Sequence, residues 1–256
     1  MPPISVVIIT YNEERNIERC LRAVEGIADE IIVLDSLSTD ITSQICRGFG
    51  ATVIEQPFLG YVAQKNKAVE HASYDHILSL DADEVLSEEL RRSILAIKNN
   101  WQHDGYCFNR LTNYCGSWIR HCSWYPDRKL RLFDRRTGKW CGDTIHERYL
   151  LDNGAKPRHL TGDLLHYSYD SIDQHIEQIR KFTTIMADVQ WRKGNKPGVA
   201  KLLLNPLWCF FRQYFVRLGF LDGYHGLVVC ILSAVANFIK YAKTRELFSS
   251  KGLPDA

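Results

Sequence analysis

The chain has 256 residues, of which 45% are hydrophobic and 24% are charged, as in a globular protein with one sizeable domain and at most an appendage. The net charge of +2 conceals an asymmetry. Residues 191–256 carry ten basic and three acidic side chains (+7), and the other 22 basic and 27 acidic side chains leave −5. The eight cysteines include no C-x-x-C pair, which argues against a zinc–thiolate site. No secretory signal precedes the first predicted strand, so we expect a cytosolic protein with reduced thiols.

Patterns typical of strands and helices alternate in the first third of the chain. Apolar and β-branched runs predict four buried strands, at residues 4–10, 30–34, 51–55 and 76–80. Amphipathic segments between them predict helices that begin near residues 17, 42 and 61. This alternation predicts a parallel α/β sheet with right-handed crossovers.

Polar side chains follow the predicted strands at their carboxyl ends. They are Thr10, Asn12 and Glu13 after the first strand, Asp35 after the second, and Asp81 and Asp83 after the fourth. Ligands of α/β sheets bind at this edge, so we expect a nucleotide there. Asp35 suits a ribose hydroxyl or a base edge, and equally a helix cap. Because neither G-x-G-x-x-G nor a P-loop motif follows the first strand, dinucleotide binding and P-loop chemistry are disfavoured.

The segment DADE at residues 81–84 contains two carboxylates separated by one small residue. Crowded carboxylates resist desolvation unless a cation neutralises them, and Mg²⁺ or Mn²⁺ takes one or two carboxylates together with substrate phosphates. Asp81 and Asp83 therefore predict a divalent metal site. The alternative is an acidic turn before a helix, since Ser87 followed by Glu88 and Glu89 is typical of a helix start.

Two further strands are predicted in the middle of the chain, at residues 104–109 and 129–133. In the second, Leu130 and Leu132 alternate with Lys129 and Arg131, which gives one apolar and one basic face. Arg131 is a candidate to face a diphosphate group, and an exposed strand position is the alternative.

The last quarter of the chain is helical, apolar and basic. A helical pattern over residues 171–189 ends at a Gly- and Pro-containing break at 194–198. Residues 202–220 combine leucine and aromatic side chains with Arg212 and Arg217, and residues 223–239 contain no acidic or basic side chain other than His225. We expect a hairpin that lies on the membrane, with a soluble helical subdomain or a dimer interface as the alternative. The predicted division is residues 1–190, in halves 1–90 and 91–190, and a tail at 191–256.

Taken together, four segments resemble the family 2 glycosyltransferases of the GT-A fold. They are PISVVIITYNE (3–13), DSLSTD (35–40), QKN (64–66) and DADE (81–84). Later segments resemble the lipopolysaccharide core β-1,4-glucosyltransferase type. These are YPDRKLRLF (125–133), DTIHE (143–147), LHYSY (165–169) and LGFLDGYHG (218–226). The resemblance implies an α/β fold of the GT-A type, with a parallel-rich nucleotide-binding sheet flanked by helices.

The resemblance also implies roles for the residues at the sheet edge. Thr10, Asn12 and Glu13 would line the nucleotide cleft, and Glu13 and Asp35 would lie near uridine and ribose. Lys65 would lie near the donor diphosphate. Asp83 would bind Mg²⁺ or Mn²⁺ directly, and Asp81 would lie near the ribose or a water ligand of the ion. His166 is a candidate third metal ligand, with a core histidine as the alternative.

Transfer with inversion requires one base that takes the proton of the acceptor hydroxyl. The candidate bases downstream of the metal motif are Asp127, Asp134, Asp143 and Glu147. Because the family supplies its base from an H-E or E-D pair in this region, the resemblance favours Glu147 first and Asp143 second. The Q-x-x-R-W motif of processive synthases is absent, which favours transfer of a single sugar.

The expected function is that of an inverting, metal-dependent glycosyltransferase on the cytoplasmic face of the membrane. It would move one hexose, glucose from UDP-glucose, to a lipid-linked acceptor such as an inner-core lipopolysaccharide heptose or another lipid-linked glycan, with no nucleic-acid partner. The alternatives are a nucleotidyltransferase, for which the expected glycine-rich loop is missing, and a non-catalytic sugar-binding protein docked on the membrane.

Overall fold

The structure, a computed structural model, describes residues 1–142 and 147–250, apart from the side chain of Asn153. The chain divides into two units. The first comprises Met1–Leu111 and Asp127–Tyr167, and the second comprises Thr112–Pro126 and the chain from Ser168 onward. The division at residue 190 that the sequence suggests stays a prediction.

The first unit begins with the predicted parallel sheet. Its strands are β1 (Ile4–Thr10), β2 (Glu30–Asp35), β3 (Thr52–Glu55) and β4 (His76–Asp81), and its helices are α1 (Ile17–Ala23), α2 (Thr42–Gly48) and α3 (Tyr61–Glu70). The strands are parallel in the order β3-β2-β1-β4. Because Thr10 pairs with Asp35 and Ile9 pairs with Asp81, the strand ends meet at one edge, as predicted.

Beyond β4 the sheet contains antiparallel pairs, which join β4 to β8, β8 to β6 and β11 to β5. The remaining elements before the C-terminal helices are β5 (Glu84–Leu86), α4 (Glu88–Asn99), β6 (Gly105–Tyr114), β7 (Ser117–Ile119), β8 (Asp127–Asp134), β9 (Gly138–Cys141), β10 (Arg148–Leu151) and β11 (Arg158–Tyr169). The order continues from β4 as β8-β6-β11-β5, and β9 pairs with β10 in a separate two-stranded sheet. Since β8 runs opposite to β4, the start of β8 lies at the edge where β4 ends.

Both faces of the parallel strands are covered, which explains their continuous apolar sequences. In β1, Val6 and Ile8 belong to one buried cluster with Leu21 of α1, and Val7 belongs to a second cluster with Ala68 of α3. Strands covered by helices on both sides need apolar residues at successive positions.

One glycine brings β11 against the start of α4. Gly162 has φ of +92°, and a Cβ atom built on it would lie 2.2 Å from the backbone nitrogen of Leu90. Ser87 caps α4 by accepting from the backbone N–H groups of Leu90 and Asp163. The predicted helix start at Ser87 is therefore confirmed, and β11 is held next to the turn that carries Asp83.

The second unit contains three long helices, α5 (Ile172–Arg192), α6 (Val199–Phe211) and α7 (Gly223–Ser250). The predicted break lies between α5 and α6. The predicted helix at 202–220 ends earlier than expected, because α6 passes at Phe211 into a π-helical turn over Arg212–Val216. Asn205 of α6 donates to the Tyr241 hydroxyl of α7 at 3.0 Å, so the two helices form a hairpin. By length and composition alone, the segment Gly219–Ser250 would be able to cross a membrane.

The LGFLDGYHG segment holds the loop after β7 in place. The Asp222 carboxylate accepts from the backbone N–H groups of Arg120 and His121 and contacts Nδ1 of His121 at 2.8 Å. A Cβ atom on Gly219 would lie within 2.9 Å of the sulfur atoms of Cys122 and Cys230. This segment therefore has a structural function within the second unit.

Candidate active site

Asp81, the last residue of β4, lies between two buried cations. Its Oδ1 accepts a hydrogen bond from Lys65 Nζ at 2.5 Å, and its Oδ2 accepts from Arg131 Nη2 at 2.8 Å. Lys65 and Arg131 are only 1% and 2% exposed. Burial raises the pKa of Asp81, but the charges of Lys65 and Arg131 outweigh it and hold that pKa well below its usual range. The carboxylate is therefore ionised, with both oxygens occupied.

Glu84 is, with Arg110, a residue of this network whose role was not predicted from the sequence. It is fully buried, accepts from the Asp81 backbone N–H at 3.0 Å, and pairs with Arg131 at 3.0 Å and with Arg110 at 3.5 Å. Arg110 in turn pairs with Asp127 at 2.8 Å. The position of Glu84 directly after the D-x-D motif is the only sign of its role that the sequence offers. The alternative that Arg131 is an exposed strand residue is wrong, because Asp81 and Glu84 neutralise it in the interior.

Asp83 is free of this network and lies next to His166. Asp83 Oδ2 is 3.1 Å from His166 Nε2, and the backbone N–H of Tyr167 donates to the Asp83 carbonyl at 2.9 Å. His166 of β11 lies opposite Glu84 of β5 in the strand register, and this register brings the His166 ring to the turn that carries Asp83. No other described side chain forms an ion pair with Asp83. The structure thus brings together the two predicted metal ligands.

The donor set at this position fits a divalent ion that is held mainly by a nucleotide diphosphate. A carboxylate oxygen and an imidazole nitrogen are suitable ligands for Mn²⁺, and Mg²⁺ commonly takes one or two protein ligands with phosphates and water. His166 Nδ1 is buried and has no hydrogen-bond partner among the described residues. No group of three or more His, Cys, Asp or Glu in the described part of the chain has metal-site geometry, so Asp83 and His166 would need ligand oxygens.

The loop after β1 is bonded to the loop after β2. Asn12 Oδ1 accepts from the Thr39 backbone N–H at 2.8 Å, and the Asn12 backbone N–H donates to Ser38 Oγ at 2.9 Å. The Glu13 backbone N–H donates to Thr42 Oγ1 at 2.8 Å. These bonds give the predicted nucleotide cleft a fixed wall.

Thr10 and Asp35 differ in what they leave available to a ligand. Asp35 is 1% exposed and accepts from the backbone N–H and the hydroxyl of Ser38, at 2.8 and 2.5 Å. Asp35 therefore holds the turn after β2 and does not cap α2, which begins at Thr42. The Thr10 hydroxyl is buried without a partner among the described residues.

The QKN segment of α3 connects three elements. Gln64 donates to Ser36 Oγ after β2 at 3.1 Å, and Lys65 reaches Asp81. Asn66 donates to the Trp140 carbonyl and accepts from its backbone N–H, at 3.0 and 3.1 Å. The Lys65 ammonium lies 4.8 Å from the centre of the Trp140 ring, which covers it.

Glu147 lies on the same side of the site as Lys65. Its Oε1 is 4.0 Å from Lys65 Nζ, and its side chain is 22% exposed and lines a cavity of about 640 Å³. Asp143 and His146 lie outside the described residues.

The two other carboxylates considered as bases are occupied. Asp127 is bonded to Arg110 and to Lys129. Asp134 accepts from the guanidinium of Arg136 and pairs in register with His76, at the opposite end of β4 from Asp81. Glu147 is therefore the only one of the four in the described part of the chain that faces a cavity near Asp81.

Removal of one charge from the buried network is expected to destabilise the protein strongly. Lys65→Met should lower the free energy of unfolding by about 3–5 kcal/mol, because Asp81 and Glu84 would keep buried charge without full compensation. Urea unfolding followed by circular dichroism measures the effect. The matched control in the same helix is Lys67→Met, whose exposed pair with Glu70 should contribute less than about 1 kcal/mol. Equal losses in the two variants would contradict this account of Lys65.

Comparisons with known proteins identify the family. Residues 5–150 match the model of glycosyl transferase family 2. An uncharacterized glycosyltransferase of Rickettsia prowazekii is 34% identical over 257 residues, which cover 96% of this chain and 88% of that protein. The lipopolysaccharide core biosynthesis glycosyltransferase LpsC of Rhizobium meliloti is 30% identical over 262 residues, with 99% and 96% covered.

A solved structure supports the fold. The mannosyltransferase PcManGT of Pyrobaculum calidifontis, in complex with GDP-Man and Mn²⁺, superposes with a TM-score of 0.56 at 17% identity, covering 97% of this chain and 88% of that one. The predicted α/β fold of the GT-A type is confirmed, and β3, β2, β1 and β4 form its parallel part. These matches favour an enzyme that transfers glycosyl groups over both alternatives, the nucleotidyltransferase and the non-catalytic binding protein. The chain belongs to glycosyl transferase family 2 and is a glycosyltransferase.

Proposed function

We propose that this glycosyltransferase moves one hexose, glucose from UDP-glucose, with inversion to a lipid-linked acceptor such as an inner-core lipopolysaccharide heptose. The observation that carries the proposal is the pair Asp83 and His166, 3.1 Å apart beside a charge-balanced network. Similarity to LpsC along nearly the whole chain supports a lipopolysaccharide acceptor.

The donor side of the proposal assigns separate tasks to the two aspartates. Asp83 and His166 would hold Mg²⁺ or Mn²⁺, which when bound neutralises charge on the diphosphate as UDP departs. Asp81 would accept a hydrogen bond from the ribose or from a water ligand through its exposed edge. Lys65 and Arg131 would act on the donor through Asp81, because both cations are buried and bonded to it.

The nucleoside would lie against the loops after β1 and β2. Asn12, Glu13 and the turn formed by Asp35 would make the wall of its cleft, next to Thr10 at the end of β1. These loops are bonded to each other before a ligand arrives, so little ordering would accompany donor binding.

The acceptor side of the proposal assigns proton removal to Glu147. The acceptor hydroxyl would give its proton to the Glu147 carboxylate while its oxygen bonds to the anomeric carbon. UDP would leave from the opposite face of the sugar, which inverts the anomeric configuration. Asp143 remains the second candidate for this base.

Asp83→Asn is expected to weaken metal-dependent donor binding. Loss of even an indirect metal partner typically costs about 10–100-fold in affinity, so UDP binding with Mn²⁺ should fall by at least that factor. Titration calorimetry with UDP, with and without Mn²⁺, measures the change. Asp188→Asn, which removes a carboxylate of an exposed helical pair, is the control. Unchanged UDP affinity in a folded Asp83→Asn protein would refute the metal assignment.

Glu147→Gln is expected to lower turnover and leave donor binding intact. A positioned general base contributes about 10²–10⁴-fold, and glutamine keeps the shape of the side chain while it loses the basic oxygen. Initial rates of transfer and UDP titrations separate the two effects, with Glu70→Gln as the control. A defect limited to donor affinity would move the base to another residue, Asp143 first.

We also propose that the α6 surface lies on the cytoplasmic face of the membrane as a peripheral contact. Leu203, Leu204, Leu207, Trp208 and Phe211 are between 47% and 68% exposed. Exposed apolar patches of this size mark protein or membrane contacts, and the neighbouring Arg212 and Arg217 suit anionic lipid.

The triple variant Leu207→Ser, Trp208→Ser, Phe211→Ser is expected to lose membrane binding, because the apolar side chains that enter the interface are gone. Co-sedimentation with vesicles of phosphatidylglycerol and phosphatidylethanolamine measures the bound fraction. Ile176→Ser, an exposed apolar residue on α5, is the control. Two results would contradict the membrane proposal. The triple variant could co-sediment with vesicles as well as the wild type does, or the wild type could be a dimer that does not bind vesicles.

A further inference from the structure

The 640 Å³ cavity beside Glu147 is strongly basic along its described lining. Five basic residues are among those that line it, and they are Arg128, Lys129, Arg131, Arg148 and Lys156. The one acidic side chain among the described lining residues is Glu147. The ligand of this cavity therefore meets positive charge on several sides.

Three of these five cations have no compensating carboxylate. Arg131 is neutralised by Asp81 and Glu84, and Lys129 pairs with Asp127 at 3.1 Å. Arg128, Arg148 and Lys156 form no ion pair with any described residue. Three uncompensated basic residues around one cavity attract an anion, and two of them carry guanidinium groups that suit phosphate or carboxylate oxygens in bidentate geometry.

The position of the cavity assigns it to the acceptor. Glu147, the proposed base, is part of its wall, and the start of β8 lies at the edge where β4 ends. Of the residues proposed for the donor side, Arg131 lines the cavity, whereas Thr10, Asp83 and His166 are not among its described lining residues. Leu130, Leu151 and Pro157 add apolar lining against which the C–H face of a sugar packs.

We infer that the acceptor is an anionic sugar, with a phosphate or carboxylate group near the accepting hydroxyl that Arg128, Arg148 and Lys156 bind. The inference rests on the proposed function, because it takes Glu147 as the base. It adds a charge requirement for the acceptor to that proposal.

The experiment measures binding of small probes to the full-length protein with saturating UDP and Mn²⁺. The probes are glucose, glucose 6-phosphate, glucuronate and inorganic phosphate. Binding of each probe is measured by ligand-observed NMR titration. Glucose 6-phosphate or glucuronate should bind about tenfold or more tightly than glucose, since one charge-assisted hydrogen bond contributes at least that factor. The better of the two identifies the anionic group.

The test variant is Arg128→Gln, Arg148→Gln, Lys156→Gln, and it should lose this preference while it keeps the UDP affinity of the wild type. The control is Arg22→Gln, Arg47→Gln, Lys67→Gln, which removes the same charge from exposed pairs elsewhere in the first unit and should keep the preference.

Several results would overturn the inference. They are equal binding of glucose and the anionic sugars, inorganic phosphate that binds as tightly as glucose 6-phosphate, the same loss in the control, and a loss of UDP affinity in the test variant. The last result would assign the three cations to the donor. Failure of the wild type to bind UDP with Mn²⁺ is a distinct result, and it would refute the proposed function itself.

Discussion

The site depends on the two hydrogen bonds that Lys65 and Arg131 donate to the Asp81 carboxylate at the end of β4. Isolated charges are costly to bury, so this corner of the sheet folds only if the cations and the anions are buried together. Lys65 comes from α3, Arg131 from β8 and Glu84 from β5. The network therefore joins the parallel and antiparallel parts of the sheet at the edge where the donor is proposed to bind.

The network also explains why the two aspartates of one short motif have different tasks. Both carboxylate oxygens of Asp81 are hydrogen-bonded to cations, whereas Asp83 follows in the turn, and among the described side chains His166 alone forms an ion pair with its carboxylate. The backbone bond from Tyr167 to Asp83 and the close approach at Gly162 hold β11 in the register that brings His166 there. A fixed turn of this kind keeps the two candidate ligands in place before an ion binds.

The sequence predicts the parallel strands, their polar ends and the break before α6, because these features follow from local periodicity and turn residues. It also places Asp83 and His166 in one site through the family resemblance. The roles of Glu84 and Arg110 were not predictable, because ion pairs across β5, β6 and β8 depend on strand order. Strand alternation placed Arg131 on the polar face of its strand but did not show that this face is buried. The π-helical turn after Phe211 has no local sequence signal that we recognise.

A crystal structure with UDP and Mn²⁺ tests the central claim most directly. We predict that the ion contacts the Asp83 carboxylate and the His166 ring, with the diphosphate completing its ligands, while Asp81 keeps its bonds to Lys65 and Arg131. An ion bound to Asp81 with Lys65 displaced, or an ion that touches neither Asp83 nor His166, would contradict the account.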